Sequence, residues 1–299
     1  MKTLPPNFQF SQGSLQDYVD CRRRFQLRYL ERIAWPAVEA EPIHENERRS
    51  RLGAAFHRLA QQHLLGVPAA RITEMLAGSR SAGTELERWW ENYLRFSGTL
   101  VGSEVAEAHP PRLLVEAVFS APLGDHRLVA KFDAILWRFG DSNSSSSFKA
   151  TIIDWKTSRI RPERRWLAGR VQTKVYPFIL ACAGSTSESP AAARLAPDQI
   201  EMVYWFPKSP HDAERFLYSQ GQFDQDREYL QDLVAEIERL GAGDYPLTSH
   251  EERCAFCTYR SLCDRGVRAG SLDQIALETE AADDLEFRLD FDQIAEIEF

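Results

Sequence analysis

The sequence predicts an α/β (α+β) fold in which helices flank a mixed central β-sheet. Segments with helical and with strand-like apolar spacing follow one another in the order helices, strands, helix, strands, helix. Interleaved elements of this kind pack as a sheet covered by helices. The composition is that of an ordinary globular protein, with 43% hydrophobic residues in 299. A chain of this length can bury a core without disulfide bonds.

Five helices are predicted from apolar side chains that recur every three or four residues. They span residues 14–34, 49–65, 84–96, 164–183 and 223–240. The first is strongly basic, since it carries Arg22, Arg23, Arg24, Arg28 and Arg32.

Five strands are predicted from runs of β-branched and aromatic residues. They span residues 113–122, 128–139, 150–155, 200–206 and 216–219. Gly124 and Asp125 predict a turn between the first two, and the serine-rich segment 140–147 predicts a polar loop.

The charge is distributed unevenly along the chain. The net charge is −8, yet the segment 271–299 holds ten carboxylates against one arginine. We therefore expect a near-neutral body, residues 1–270, followed by an acidic tail, residues 271–299. A near-neutral body argues against a simple basic nucleic-acid binder but leaves room for a local basic groove. Without an apolar membrane-spanning run or a secretory signal, a cytoplasmic protein is expected.

An Asp-x-Lys pair ends the predicted strand 150–155. Residues two apart on a strand face the same side, so Asp154 and Lys156 point toward one spot. A carboxylate can hold Mg²⁺, and the ammonium can orient water or stabilise charge on a phosphate. Alone, such a pair is more often an exposed ion pair. Asp133 and Glu116 on the preceding strands could add carboxylates beside Asp154, and close carboxylates need a cation or a proton.

Three further residues are candidates on helices. Gln172 and Tyr176 lie four apart, so they share a helix face that could reach a phosphate or a base. His57 could be a metal ligand, since neutral imidazole is a common one. Each of the three also has an ordinary structural interpretation.

The cysteines suggest a metal centre. Cys254, Cys257 and Cys263 fall within ten residues, and four thiolates hold either zinc or an iron–sulfur cluster. Cys21 is a better fourth ligand than Cys182, which lies in an apolar helix end. A single distant fourth cysteine favours iron–sulfur over the paired knuckles of zinc sites.

In this order, these residues resemble the PD-(D/E)xK nuclease superfamily, and more narrowly its RecB-like exonuclease branch with an iron–sulfur cluster. That branch includes CRISPR-associated single-strand exonucleases and the nuclease domains of helicase–nuclease complexes. The resemblance implies a restriction-endonuclease-like domain over residues 1–270, with a 4Fe–4S cluster joining its N- and C-terminal parts. It rests on the ordered set Cys21, His57, Asp133, Asp154, Lys156, Gln172, Tyr176, Cys254, Cys257 and Cys263.

The resemblance also implies the residue roles. His57, Asp133, Asp154 and the carbonyl of Trp155 would bind Mg²⁺ or Mn²⁺, and Lys156 would position the water. Gln172 and Tyr176 would hold DNA near the metal, Glu116 would support the site, and the four cysteines would hold the cluster. Two positions depart from the family pattern: Lys131 replaces a frequent Gly, and Arg22 replaces a frequent Pro.

The expected function is metal-dependent exonucleolytic hydrolysis of DNA, with single strands as the expected substrate, in DNA repair and recombination or in CRISPR adaptation. Helicase or CRISPR adaptation proteins are the expected partners, and a membrane is not. The chain has no phosphate-loop helicase motif, so unwinding would come from a partner. The alternative is a non-catalytic iron–sulfur subunit that binds DNA or supports assembly.

Overall fold

The computed structural model describes residues 4–5, 7–33, 43–78, 83–101, 111–138, 149–158, 160–183, 195–240 and 245–266. The described chain contains six strands. They are β1 (Gln9–Ser11), β2 (Arg112–Leu123), β3 (His126–Arg138), β4 (Lys149–Trp155), β5 (Ile200–Trp205) and β6 (Glu214–Leu217).

The described helices surround this sheet. They are α1 (Gln12–Asp20), α2 (Arg22–Phe25), α3 (Ile43–Leu64), α4 (Ala69–Gly78), α5 (Gly83–Val101), α6 (Arg164–Gly169), α7 (Val171–Ala183) and α8 (Gln220–Arg239). A π-helical turn, Gln26–Leu30, continues α2, and short 3₁₀ turns occupy Pro197–Gln199, Glu251–Phe256 and Arg260–Cys263.

The sheet is mixed and has the order β1-β3-β4-β5-β6, with β2 on the other edge of β3. The pairs β2–β3, β3–β4 and β5–β6 are antiparallel, whereas β1–β3 and β4–β5 are parallel. The predicted mixed sheet with flanking helices is therefore confirmed.

One edge of β3 pairs with two different strands along its length. Its residues 127–129 pair with β1, and its residues 134–138 pair with β4. The sheet thus forks along β3, and Asp133 is the residue just before the β4 ladder begins. We call this point the fork.

The fork coincides with a change in the inward-facing residues of β3. Leu128, Ala130 and Phe132 face the core that α7 covers, but farther along Ile135 and Trp137 face it. Opposite Asp133, Glu116 has φ +55°, in the left-handed region that non-glycine residues seldom adopt. The register between β2 and β3 is the same on both sides of Glu116 and Asp133, so the side chains of both strands switch faces at the same point.

Two cores lie on the two faces of the sheet. The α7 core unites β1–β5 with α1, α7 and α8, and centres on residues such as Ile152, Ile179 and Leu230. The α5 core packs α3, α4 and α5 against Ile153, Trp155 and Trp205. Strand β4 is thus buried on both faces, which explains its continuous apolar run.

The elements differ from the prediction in two broken helices, in two elements that were not predicted, and in two helix ends, since α3 begins six residues before the predicted start and α5 ends five residues after the predicted end. The predicted helix 14–34 breaks at Cys21, whose φ of −162° is extended, and the predicted helix 164–183 breaks at Arg170, which is also extended. β1 and α4 were not predicted. The loop 140–147 and the acidic tail 271–299 lie outside the described residues. No helix in the described part of the chain has the length and apolar character to span a membrane.

Candidate active site

A buried triangle of two hydrogen bonds and one ion pair joins the end of β4 to α7. Gln172 Nε2 donates to Asp154 Oδ1 at 2.6 Å, and Lys156 Nζ donates to Gln172 Oε1 at 2.8 Å. Lys156 Nζ also lies 3.2 Å from Asp154 Oδ2. All three residues are at most 7% exposed, so the charges of Asp154 and Lys156 compensate each other in a place that water barely reaches.

Asp133 reaches this group from the fork. Its Oδ2 accepts a hydrogen bond from the amide of Trp155 at 2.9 Å, and its Oδ1 lies 3.4 Å from Nδ1 of His57 on α3. Burial raises the pKa of the Asp133 carboxyl, but His57, the Trp155 amide and Lys156 outweigh it, so the pKa lies below its usual value. Asp133 is therefore a carboxylate at neutral pH.

Tyr176 closes the site from the second turn of α7. Its ring packs against Phe132 with centroids 4.7 Å apart, and the residue is 7% exposed. Burial raises the pKa of the Tyr176 hydroxyl well above its usual value, and the negative charges of Asp154 and Asp133 raise it further. The phenol stays protonated and can donate a hydrogen bond.

Glu116 and Lys131 form an ion pair across β2 and β3, next to the fork. The pair gives a physical reason for a lysine at position 131, because its ammonium balances a carboxylate on the neighbouring strand. Glu116 accordingly contacts Lys131, whereas the contacts of Asp133 are with His57 and Trp155.

The carboxylates of Asp133 and Asp154 suit a hard divalent cation, since Mg²⁺ and Mn²⁺ prefer oxygen ligands. Within the described residues, no group of three or more His, Cys, Asp or Glu side chains is arranged to hold a metal ion. A cation between His57 and Asp133 would replace their present contact, and the ionised state of Asp133 favours that exchange.

Tyr204 is a neighbour of this site that the sequence did not predict. It pairs with Asp154 across β4 and β5, and its ring lies 5.6 Å from Lys156 Nζ. Its hydroxyl lies 2.7 Å from Thr173 Oγ1 on α7. In an apolar strand Ile-Glu-Met-Val-Tyr-Trp, the tyrosine looked like an ordinary core residue, and only the pairing with Asp154 identifies it.

The structure brings Cys21 to the three late cysteines, whereas Cys182 interacts with Tyr218. Arg253 Nη1 donates to the carbonyl of Asp20 at 3.3 Å, and the Tyr259 hydroxyl donates to the carbonyl of Ile33 at 3.2 Å. These contacts dock the C-terminal segment on the N-terminal helices. Cys21 occupies the extended break between α1 and α2.

The thiols of these cysteines influence one another. Burial raises the pKa of Cys254 to about 11, and the thiolates of Cys257, Cys21 and Cys263 contribute to that rise. Burial also raises the pKa values of Cys257 and Cys263, with a contribution from Cys21 in each case. Cys21 therefore lies close enough to the three late cysteines for its charge to act on them, but within the described residues the four thiols are not arranged to hold a metal ion. Cys182 is exposed on α7.

The arginines of the predicted basic helix are matched by carboxylates. Arg24 lies 2.8 Å from Asp17 and 2.9 Å from Asp20, and Arg28 lies 2.8 Å from Asp17. Ion pairs also join Arg22 to Glu236 and Arg23 to Glu31. The excess positive charge in the sequence of this helix is thus largely neutralised in the fold. The aromatic residues Trp89, Trp90, Trp155 and Trp205 are core residues, each at most 4% exposed.

The family model described as the PD-(D/E)XK nuclease superfamily matches residues 9–264. No curated protein matches. Among solved structures, a protein from Eubacterium rectale named “Putative exonuclease” aligns with 9% identity and a TM-score of 0.46, covering 83% of this chain and 85% of its own.

A second solved structure, of the protein SSO0001, aligns with 14% identity and a TM-score of 0.35, covering 85% of each chain. The family match, in contrast, spans every described element from β1 to the last cysteine. The chain therefore belongs to the PD-(D/E)XK nuclease superfamily.

Proposed function

We propose that this protein is a metal-dependent exodeoxyribonuclease that hydrolyses phosphodiester bonds of single-stranded DNA. The observation that carries the proposal is the buried triangle of Asp154, Lys156 and Gln172, with the ionised Asp133 beside it. Burying a carboxylate and an ammonium is costly, and such a pair with a second carboxylate beside it is more typical of catalytic sites than of structural ones.

In this proposal, His57, Asp133, Asp154 and the Trp155 carbonyl hold Mg²⁺ or Mn²⁺. The bound cation supplies stabilisation of negative charge on the phosphate. The donor types fit such a cation, and Asp133 is ionised without any further deprotonation.

The side chains of the protein supply position and hydrogen bonds. The Lys156 ammonium, held by Gln172 and Asp154, donates a hydrogen bond to the attacking water and aligns it with the phosphorus atom. The protonated Tyr176 hydroxyl donates to an oxygen of the DNA strand. Thr173 and Tyr204 fix the first turn of α7 on the sheet, so that Gln172 keeps its place.

We further propose that Cys21, Cys254, Cys257 and Cys263 hold a 4Fe–4S cluster, which stabilises the fold without taking part in hydrolysis. The proximity of Cys21 to the three late cysteines supports this assignment. Residues 1–270 would then form one nuclease domain. The preference for single strands and a role in repair, recombination or CRISPR adaptation, with a helicase or adaptation protein as partner, follow from the resemblance to RecB-like exonucleases.

The activity is tested on protein purified without oxygen. End-labelled single- and double-stranded DNA is incubated with Mg²⁺, with Mn²⁺ and with chelator. We expect chelator-sensitive degradation of the single strand by the wild type and none by Asp154→Ala. Equal cleavage by both proteins would refute the site. Tight DNA binding without cleavage under any metal would favour the non-catalytic subunit.

The cluster is tested by the visible spectrum and the iron content of Cys21→Ser. Cys182→Ser is the matched control, because Cys182 is exposed and interacts with Tyr218. We expect loss of iron and of the broad visible absorption in Cys21→Ser alone. Colourless wild-type protein loaded with zinc would refute the iron–sulfur assignment and leave the nuclease proposal standing.

A further inference from the structure

The segment 160–170 carries a concentration of positive charge that the proposed chemistry does not use. It contains four arginines and one glutamate, a net charge of +3 in a chain of net charge −8. It runs from the end of β4, just after Lys156, to the start of α7, just before Gln172. The segment therefore borders the candidate active site at both of its ends.

Three of these arginines are held on aromatic rings. The guanidinium of Arg164 lies 4.3 Å from the Phe216 ring centroid, and that of Arg170 lies 4.6 Å from the Trp166 ring centroid. Arg161 lies 5.8 Å from the Phe206 ring centroid. Stacking orders a guanidinium while leaving the hydrogen-bonding edge in its plane for an anion.

The charges in this segment exceed the carboxylates that meet them. Arg161 and Arg164 share a single carboxylate, that of Glu214. Arg164 remains 56% exposed at its side chain, and Arg165 is exposed as well. On α2, Arg24 is only 12% exposed, and the more exposed Arg22 and Arg23 each pair with a carboxylate of their own. The segment 160–170 thus presents more exposed positive charge than the first helix, where the sequence predicted the basic surface.

The strand register gives the distance to the site. Asp154 pairs with Tyr204 on β5, and Tyr204 pairs with Glu214 on β6, so these three residues share one face of the sheet. With strands about 4.8 Å apart, Glu214 lies about 10 Å from Asp154. The arginines bound to Glu214 therefore stand within a few nucleotides of the candidate active site.

We propose that Arg161, Arg164 and Arg165 bind the phosphates of a single nucleic-acid strand and lead it over the edge of the sheet to Asp154. The proposal rests on the proposed nuclease function, since it names the surface that holds the substrate of that site. Trp166, half-buried beneath Arg170, adds an aromatic surface next to this path.

The test measures binding separately from cleavage. Full-length protein is titrated with a fluorescein-labelled single-stranded oligonucleotide without added divalent metal, at salt concentrations from about 50 to 200 mM. For Arg164→Ala/Arg165→Ala we expect the Kd to rise about tenfold at the lowest salt concentration. We also expect the slope of log K against log salt to become shallower by about 1.4, since each lost phosphate contact contributes about 0.7 on a single strand.

The matched control is Arg227→Ala on α8. Arg227 is 49% exposed, pairs with Asp224 and lies 5.4 Å from the Phe223 ring centroid, which closely reproduces the surroundings of Arg164. Its Kd should stay within about twofold of wild type. An unchanged Kd and salt slope in the double variant, or an equal loss in Arg227→Ala, overturns the proposal.

A second variant covers the case in which the double variant does not fold. Arg165→Glu changes one exposed residue, and its Kd should rise more than that of Arg165→Ala because the new charge repels phosphate. Cleavage assays separate the two proposals. If the wild type cleaves and the arginine variants bind normally, only the present inference fails. If the wild type never cleaves but the variants lose binding, the nuclease proposal fails and the inference stands.

Discussion

Substituting Gln172 by leucine should damage both the stability of the fold and the chemistry. The amide is 4% exposed and makes one hydrogen bond with Asp154 and one with Lys156, at 2.6 and 2.8 Å. A hydrogen bond to a charged group contributes about 1.5–3 kcal/mol. Leucine retains most of the volume, and the Asp154–Lys156 ion pair survives, so the lower end of that range applies to each bond. We expect a loss of about 3 kcal/mol in the free energy of unfolding.

The same substitution should slow catalysis, because Lys156 loses the acceptor that fixes its ammonium. Misplacing a positioning group by about 1 Å costs about 100-fold in rate. We therefore expect kcat to fall by about 100-fold. The DNA Kd should stay nearly unchanged, because the Gln172 amide is bonded to Asp154 and Lys156 and does not serve the DNA contact that the family resemblance implies for it. Urea unfolding and single-turnover cleavage measure the two effects independently.

The control is Gln222→Leu, since Gln222 also donates to a buried aspartate, Asp226, at 2.8 Å but lies on α8 away from the site. It should lose about 1 kcal/mol of stability and keep its kcat. The reasoning would be refuted if Gln172→Leu unfolded within about 0.5 kcal/mol of wild type, the range of an ordinary surface substitution.

Three further predictions concern the stability of the fold outside the site. Burial raises the pKa of Asp226 despite Gln222, Lys174 and Tyr218. Its contribution to stability is therefore complete below the unfolded pKa of about 3.9 and is lost as the pH rises through the folded pKa. Across that pH range, the urea midpoint of the wild type should fall relative to the urea midpoint of Asp226→Asn. Ile179→Ala, at a position of 0% exposure, should cost about 2–5 kcal/mol in urea unfolding, and an unchanged midpoint would contradict the assigned core. His126 faces two acceptors, the Phe8 carbonyl at 3.2 Å and Glu238 at 2.8 Å, so His126→Phe should lower the thermal midpoint by the equivalent of about 2 kcal/mol, whereas an unaltered midpoint would show that neither bond matters.

The strands were predictable from the sequence because β-branched and aromatic runs mark them strongly. All five predicted strands exist, within two residues at most ends. β1 was missed because three residues are too few to show a pattern. Helix α4 did have a signal, since Pro68 precedes it and Ile72 and Leu76 are spaced by four residues.

The helix break at Cys21 could not be predicted, because the apolar spacing continues on both sides of it, whereas Gly169, the last residue of α6, was a sequence signal for the break at Arg170. Tertiary contacts accompany both breaks: the amide of Val171 donates to Gln16 Oε1 at 3.0 Å, and the carbonyl of Asp20, next to Cys21, accepts from Arg253 of the docked C-terminal segment. A rule based on spacing has no access to such contacts.

The site was predictable only in part, because some of its contacts are also tertiary. The proximity of Asp154 and Lys156 follows from strand periodicity, and the approach of Gln172 to both depends on how α7 crosses the sheet. The position of Asp133 depends on the unusual backbone of Glu116, which reverses the alternation of two strands. Alternation along the strand assigns Asp133 to one face of the sheet, but it does not show that the side chains switch faces at this point.

Strand β3 supports a different neighbouring strand on each side of the fork. Residues 127–129 carry β1, and through β1 the helix α1 and Cys21, whereas residues 134–138 carry β4 and with it Asp154. Helix α1 is held by more than β1, because Leu15 and Tyr18 lie in the α7 core and Gln16 accepts from the amide of Val171 at the start of α7. The N-terminal end of the chain is therefore joined to the site twice, through β3 and through the residue next to Gln172, so loosening this end should also disturb the alignment of Gln172 with Asp154.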